Sequence, residues 1–294
     1  MVKSRLLFML FCGLTLASSA LTGPRPFQRQ SGGPGSKDDT LGMALIPAGE
    51  FWMGRNQLWL VDELGWNERD RLDDRPVHLV YVDAFYIDRY ETSNEDYQRF
   101  VEASGHRTPF HWAGGKIPSG KDRHPAYNIS WDDADAYCKW MGKRLPTEAE
   151  WERAARGGLD KKLYPWGDQL TLPPQGSATS ATTPAQNVKA AHSGSPRGPA
   201  AIGSYPPNVF DLYDVTGNVW EWVSDWYDRD YYSGSPDRNP RGPSKGIYRV
   251  FRGGGWSDSD ERNLMVHYRN YTDAATRSPT IGVRCARSMP ANAR

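Results

Sequence analysis

At 294 residues the chain has room for one large domain or two small ones, and a single domain is the simpler reading. Charge is nearly balanced, 36 Lys and Arg against 35 Asp and Glu, and no basic run interleaves with aromatics, which speaks against a nucleic-acid partner. Twelve tryptophans, 29 glycines and 22 prolines predict a core of aromatics and turns rather than long helices.

Residues 1–20 place a basic start, MVKSR, before an apolar run too short to span a bilayer, ending in Ser18 and Ala20. This predicts a signal peptide cut after Ala20, a secreted or periplasmic protein, and no membrane span. Lipidation at Cys12 is disfavoured because Phe11 before it is too large. Cleavage would leave Cys138 and Cys285 as the remaining thiols in a compartment that permits disulfides, so a bridge is expected, with two buried free thiols as the alternative. Residues 21–40 hold Gly, Pro and polar residues with little to bury and read as a disordered tether; the domain is expected over 41–290.

Short apolar runs bounded by Pro and Gly predict strands over Leu45–Gly54 and His78–Ile87. Ser93 is placed to cap a helix to about Ala103, with Tyr97, Phe100 and Val101 on its apolar face. A second helix follows Ser130, where Ala134, Tyr137, Cys138 and Met141 recur at helical spacing and turn Cys138 inward. Thr147 and Glu150 form a capping box for a third, which Gly157 can close. Pro173–Ser204 lacks periodicity and reads as a long surface loop. From Tyr248 to Cys285, strand-like runs alternate with glycine turns, and the run from Arg252 to Trp256 is expected to bring backbones close together.

The densest motif is Leu212–Trp222, LYDVTGNVWEW. Asp214 and Glu221 are too far apart for one helical face and are interrupted by Gly217, so a looped backbone must bring them together. Two carboxylates with the carbonyls of Gly217 and Val219 would suit a hard, oxygen-seeking cation such as calcium. The other reading is a tight turn between buried tryptophans, with Glu221 hydrogen-bonded to backbone.

Seven segments, in order, resemble the formylglycine-generating enzyme family, also called sulfatase-modifying factors. They are IPAGEFWMG (Ile46–Gly54), FYIDRYETSNEDYQRFV (Phe85–Val101), ISWDDADAYCKWMGKRLPTEAEWE (Ile129–Glu152), YPWG (Tyr164–Gly167), GNVWEW (Gly217–Trp222), RGGGW (Arg252–Trp256) and GVRC (Gly282–Cys285). The resemblance implies one α+β domain with a C-type-lectin-like fold, a small twisted sheet, few helices and much irregular backbone. It supports a Cys138–Cys285 bridge and a structural calcium at Asp214, Gly217, Val219 and Glu221. Asn187 and Val188 are weaker candidates for a second calcium.

The family's oxidase activity uses copper(I) held by two cysteines after a GGSY-like motif; thiolate suits copper(I) because both are soft. Here the motif is GGGW, Asp258 stands at the first cysteine position and Asn263 at the second. Copper is therefore not expected. The candidates around the missing pair are Trp256, Asp258, Asp260, Asn263, His267 and Tyr268. Asp258 and Asp260 could act as acid and base or hold a hard cation; the alternative is a solvated turn. Arg252 and Arg284 are expected to pair with carboxylates in the core, the six histidines to be surface or loop residues rather than metal ligands, and His267 and Tyr268 to serve packing rather than catalysis. The combined expectation is an exported, calcium-stabilised binding or accessory module for an exported protein, a peptide or a small ligand. The competing reading is an oxidoreductase with non-copper chemistry on an exported peptide, sulfatase or siderophore precursor.

Overall fold

The computed structural model describes residues 40–56, 72–168, 198–258 and 260–290. The leader, most of the tether and long loop, Cys12, Asn187 and Val188 lie outside them.

Each expected N-terminal strand divides in two. Pro47 cannot donate to a ladder, and it separates β1 (Met43–Ile46) from β2 (Gly49–Met53). The second run divides at Asp83, whose N–H is taken by the Asn239 side chain at 2.8 Å, giving β3 (His78–Val82) and β4 (Phe85–Asp88). β1 and β2 therefore pair with different partners: β1 pairs with β4, which pairs in turn with β9 (Ala286–Ser288), while among the described residues β2 pairs with β3 alone.

The three helices stand where their caps predict. α1 (Asn94–Ser104) is capped by Ser93 and closed by Gly105 in the left-handed region. α2 (Trp131–Trp140) carries a capping box of Ser130 with Asp133, and Cys138 is buried on its inner face. α3 (Glu148–Arg156) carries the Thr147–Glu150 box and ends at Gly157, φ 58°. It lies at the centre of the molecule, with eight of its nine residues buried, which explains how charged Glu148, Glu152 and Arg156 come to be interior.

The third sheet positions the functional segments. Its order is β7 (Asn270–Asp273), β6 (Tyr248–Arg252), β5 (Trp220–Trp226) and β8 (Ile281–Gly282). β5 pairs antiparallel with β6, setting Glu221 opposite Arg252, and parallel with β8, setting Glu221 opposite Gly282. After β6 the chain must turn where a side chain does not fit. At Gly254, φ 81°, an added Cβ would stand 2.6 Å from Leu264 and 2.9 Å from the Asn263 carbonyl. Glycine thus lets the post-β6 segment lie against the turn that carries Asn263.

Arg252 and Arg284 pair with carboxylates as expected. A continuous ion-pair chain runs Arg156, Glu152, Arg252, Glu148, Arg269, with contacts of 2.6 to 2.8 Å and side chains no more than 2% exposed. Among the described residues no helix is long and apolar enough to cross a membrane.

Candidate functional site

A cleft of about 640 Å³ opens beside β7. Asn270, Tyr271 and Thr272 of that strand line it, together with Asp258 and Asp260 from the post-β6 segment and Asn263 from the 3-10 turn Glu261–Leu264. Asp258 accepts the Gly255 N–H at 2.7 Å. Burial raises its pKa, and the Gly255 N–H and the Asn263 and Trp220 side chains pull it partly back. The structure thus brings Asp258 and Asn263 to one cleft, five residues apart across a turn. Asp260 does turn work: it accepts the Arg262 N–H at 3.0 Å and pairs with the Arg262 guanidinium.

Of the other sequence candidates, Tyr268 lines the cleft. Trp256 is outside the lining; its indole N–H donates to the Pro279 carbonyl at 3.0 Å and its backbone N–H to Asn218. His267 lies in the turn before β7, a loop residue as expected, and it packs inward. It is 2% exposed, with Nδ1 2.9 Å from Asp74 and its pKa lowered chiefly by burial, so it belongs to the interior behind the cleft.

Asp73, unmarked in the sequence, also lines the cleft. It comes from the 3-10 turn Leu72–Asp74, is 7% exposed, and accepts the Tyr227 hydroxyl at 2.7 Å. Burial pushes its pKa up to about 6, against the field of Arg269 and the Tyr227 hydrogen bond. No local motif marks it, because its partner is 154 positions away.

In the Leu212–Trp222 loop, the chain folds back through Asp214, φ 56°, Gly217, φ 87°, and Asn218, φ 60°. Asp214 and Glu221 are both buried, and Glu91 joins them. Asp214 accepts the N–H groups of Gly203 and Tyr205 at 2.5 and 3.2 Å. Glu91 accepts from Asn218 Nδ2 at 2.5 Å and from the Val219 N–H at 3.1 Å. Glu221 accepts Arg284 at 2.7 and 2.9 Å and the Trp151 indole N–H at 2.7 Å, so the donors on Glu221 are side chains rather than backbone.

Burial, reinforced by Asp214 and Glu221, raises the Glu91 pKa well above normal, and burial pushes Asp214 up to about 7. When all three carboxylates are ionised, the single guanidinium leaves two negative charges unbalanced. The charge and the oxygen donors suit a divalent hard cation. Yet among the described residues no group of three or more His, Cys, Asp or Glu is disposed to hold one.

Cys138 and Cys285 form a disulfide with Cα atoms 5.6 Å apart, joining α2 to the segment after β8. The third cysteine of the chain is Cys12. No thiol of the described residues reaches the cleft.

Comparison with known proteins agrees with this architecture. The chain is 35% identical over 311 residues to a formylglycine-generating enzyme of Streptomyces coelicolor, covering 91% of this chain and 96% of that one. It is 30% identical to the inactive C-alpha-formylglycine-generating enzyme 2 of Bos taurus, covering 84% and 88%. Among solved structures, PvdO of Pseudomonas aeruginosa superposes with a TM-score of 0.64 at 26% identity, covering 84% of this chain and 94% of that one. Residues 30–289 match the sulfatase-modifying factor enzyme 1-like domain, and the chain belongs to that formylglycine-generating enzyme family.

Proposed function

We propose that this protein is an exported accessory or binding member of the family, working through a cleft that holds no thiol and no copper. The observation that carries the reading is that Asp258 and Asn263 both line the cleft, where the family's oxidase chemistry calls for a cysteine pair. Carboxylate and amide are hard donors, poorly matched to copper(I). The inactive relative of Bos taurus supports a non-catalytic role, and the Cys138–Cys285 bridge together with the leader-like residues 1–20 supports export. A copper(I) titration against a chromophoric chelator tests the reading: the oxidised protein is expected to withdraw no stoichiometric copper. One tightly held equivalent overturns it.

Calcium is the proposed structural cofactor, with Asp214, Gly217, Val219 and Glu221 as its ligands and the charge excess around Arg284 as its support. Bound calcium should stabilise by mass action, about 2.7 kcal/mol at a hundredfold excess over its dissociation constant. Asp214→Asn keeps the shape and leaves the Arg284 contacts of Glu221 in place, so it should reduce the calcium-dependent rise in melting temperature. A flat calcium response in the parent protein would show that protons and Arg284 alone neutralise the loop.

The second reading is an oxidoreductase of the family with non-copper chemistry on an exported peptide, sulfatase or siderophore precursor. Asp258, half-buried in the cleft with a raised pKa, is the observation that favours it. Were Asp258 a general acid or base, Asp258→Asn would lower turnover by about a hundredfold or more with binding nearly intact.

A further inference from the structure

Two short stretches form part of the cleft wall, and one buried contact ties them together. The 3-10 turn Leu72–Asp74 carries Asp73, and the segment that follows the turn Glu261–Leu264 carries Tyr268. Between them, His267 Nδ1 lies 2.9 Å from Asp74 Oδ2, with the two side chains 3% and 6% exposed. Asp74 also accepts from Arg55, whose Nε lies 3.0 and 3.2 Å from its oxygens. Against burial, which raises it, His267 and Arg55 hold the Asp74 pKa below its usual value. Asp74 is therefore a carboxylate that only accepts, which places the imidazole proton on Nδ1.

The other ring nitrogen decides what acid does. His267 Nε2 is buried and has no hydrogen-bond partner among the described residues. A proton added there becomes a charged, buried donor with nothing to receive it. The charged groups around the ring do not remove this cost: Asp74 and Glu152 favour the cation, Arg156 opposes it, and Asp74 is already shared with Arg55. Burial, the largest effect, keeps the His267 pKa below its ordinary value of 6.5 despite the hydrogen bond and charge of Asp74. A histidine depressed in the fold contributes stability that is present above about pH 6.5 and lost as the pH falls through the folded value.

The stretch around His267 is partly independent of the main cores. Leu264 and Met265, just before it, pack with Leu163 and Tyr164 in a small cluster of their own. Elements with few buried contacts open at free energies below that of global unfolding.

We propose that His267 is an acid-sensitive latch: its contact with Asp74 holds the turn Leu72–Asp74 against segment 264–268, and acid loosens that part of the cleft wall. The latch is independent of what the cleft binds.

Hydrogen exchange of the full chain at about pH 7.5 and about pH 5, divided by the intrinsic rate at each pH, tests it. An opened state in which His267 titrates near 6.5 gains population by up to about thirtyfold between those values. Amides of 72–74 and 264–268 should lose protection by up to that factor, while those of α2 keep theirs. His267→Asn retains a donor at the Nδ1 position and cannot take a proton, so its protection there should not fall with acid. Asp73, whose pKa burial pushes up to about 6, takes its proton over the same range and acts in the opposite direction, equally in parent and variant. If His267→Asn does not fold, the parent imidazole decides: followed by NMR, it should stay neutral, as the Nδ1–H tautomer, to well below its ordinary midpoint. A midpoint at or above the ordinary value, protection independent of pH, a loss equal across the molecule, or the same loss in His267→Asn overturns the proposal.

Discussion

Glu148→Ala is expected to destabilise the protein by about 3–5 kcal/mol, because it strips a buried carboxylate from two guanidiniums that cannot lose their protons. Glu148 accepts Arg252 Nη1 at 2.6 Å and Arg269 Nε and Nη2 at 2.8 and 3.0 Å. Both arginine side chains are fully buried, so water cannot replace the lost oxygens. The carboxylate also sits in the first turn of α3, where it meets the positive end of the helix dipole. Lys139→Ala provides the contrast. It breaks an exposed pair with Asp135, in which the lysine is 70% exposed, and should change stability by less than about 0.5 kcal/mol. Urea unfolding of the two variants checks both. A loss under about 1 kcal/mol for Glu148→Ala would show that the two arginines find other partners.

Reducing the Cys138–Cys285 bridge, or replacing both cysteines by alanine, is expected to destabilise by about 5 kcal/mol on the chain-entropy account. The magnitude follows from a separation of 147 residues, long enough that closing the loop removes much of the freedom of the unfolded chain. Both cysteines are fully buried, so a reductant should act slowly on the native protein and quickly once it is partly unfolded. Non-reducing peptide mapping should recover the linked pair, and the melting temperature should fall after reduction. Two alkylatable thiols in the oxidised native protein would contradict the bridge.

What the sequence discloses and what it conceals divide along contact range. The caps of all three helices are legible because the signal is local: Ser130 with Asp133 and Thr147 with Glu150 lie three residues apart. So is the inward turn of Cys138, which follows from helical spacing. The strand runs mislead, because Pro47 and the claim of Asn239 on the Asp83 N–H each break a continuous apolar stretch, and the second of these involves a residue 156 positions away. At the cleft, Asp258 and Asn263 are found by motif position, and the turn after Gly255 brings them together. Asp73 is missed because its place depends on Tyr227, far off in sequence. His267 is the packed loop residue the sequence suggests, and its partner Asp74, on the distant turn Leu72–Asp74, is what the sequence does not disclose. The Glu221 reading is incomplete for the same reason: Arg284 and Trp151 reach it from positions 63 and 70 residues away.

The central claim is that the cleft binds without performing the family's copper-dependent oxidation. Its most direct test incubates the copper-loaded, oxidised protein with a sulfatase-type peptide carrying the CxPxR sequence and follows the cysteine by mass spectrometry. If Asp258 and Asn263 stand where two thiolates would be needed, as proposed, the peptide is expected to stay unchanged, at the rate of a control without protein. Conversion of its cysteine to formylglycine above that control would contradict the account.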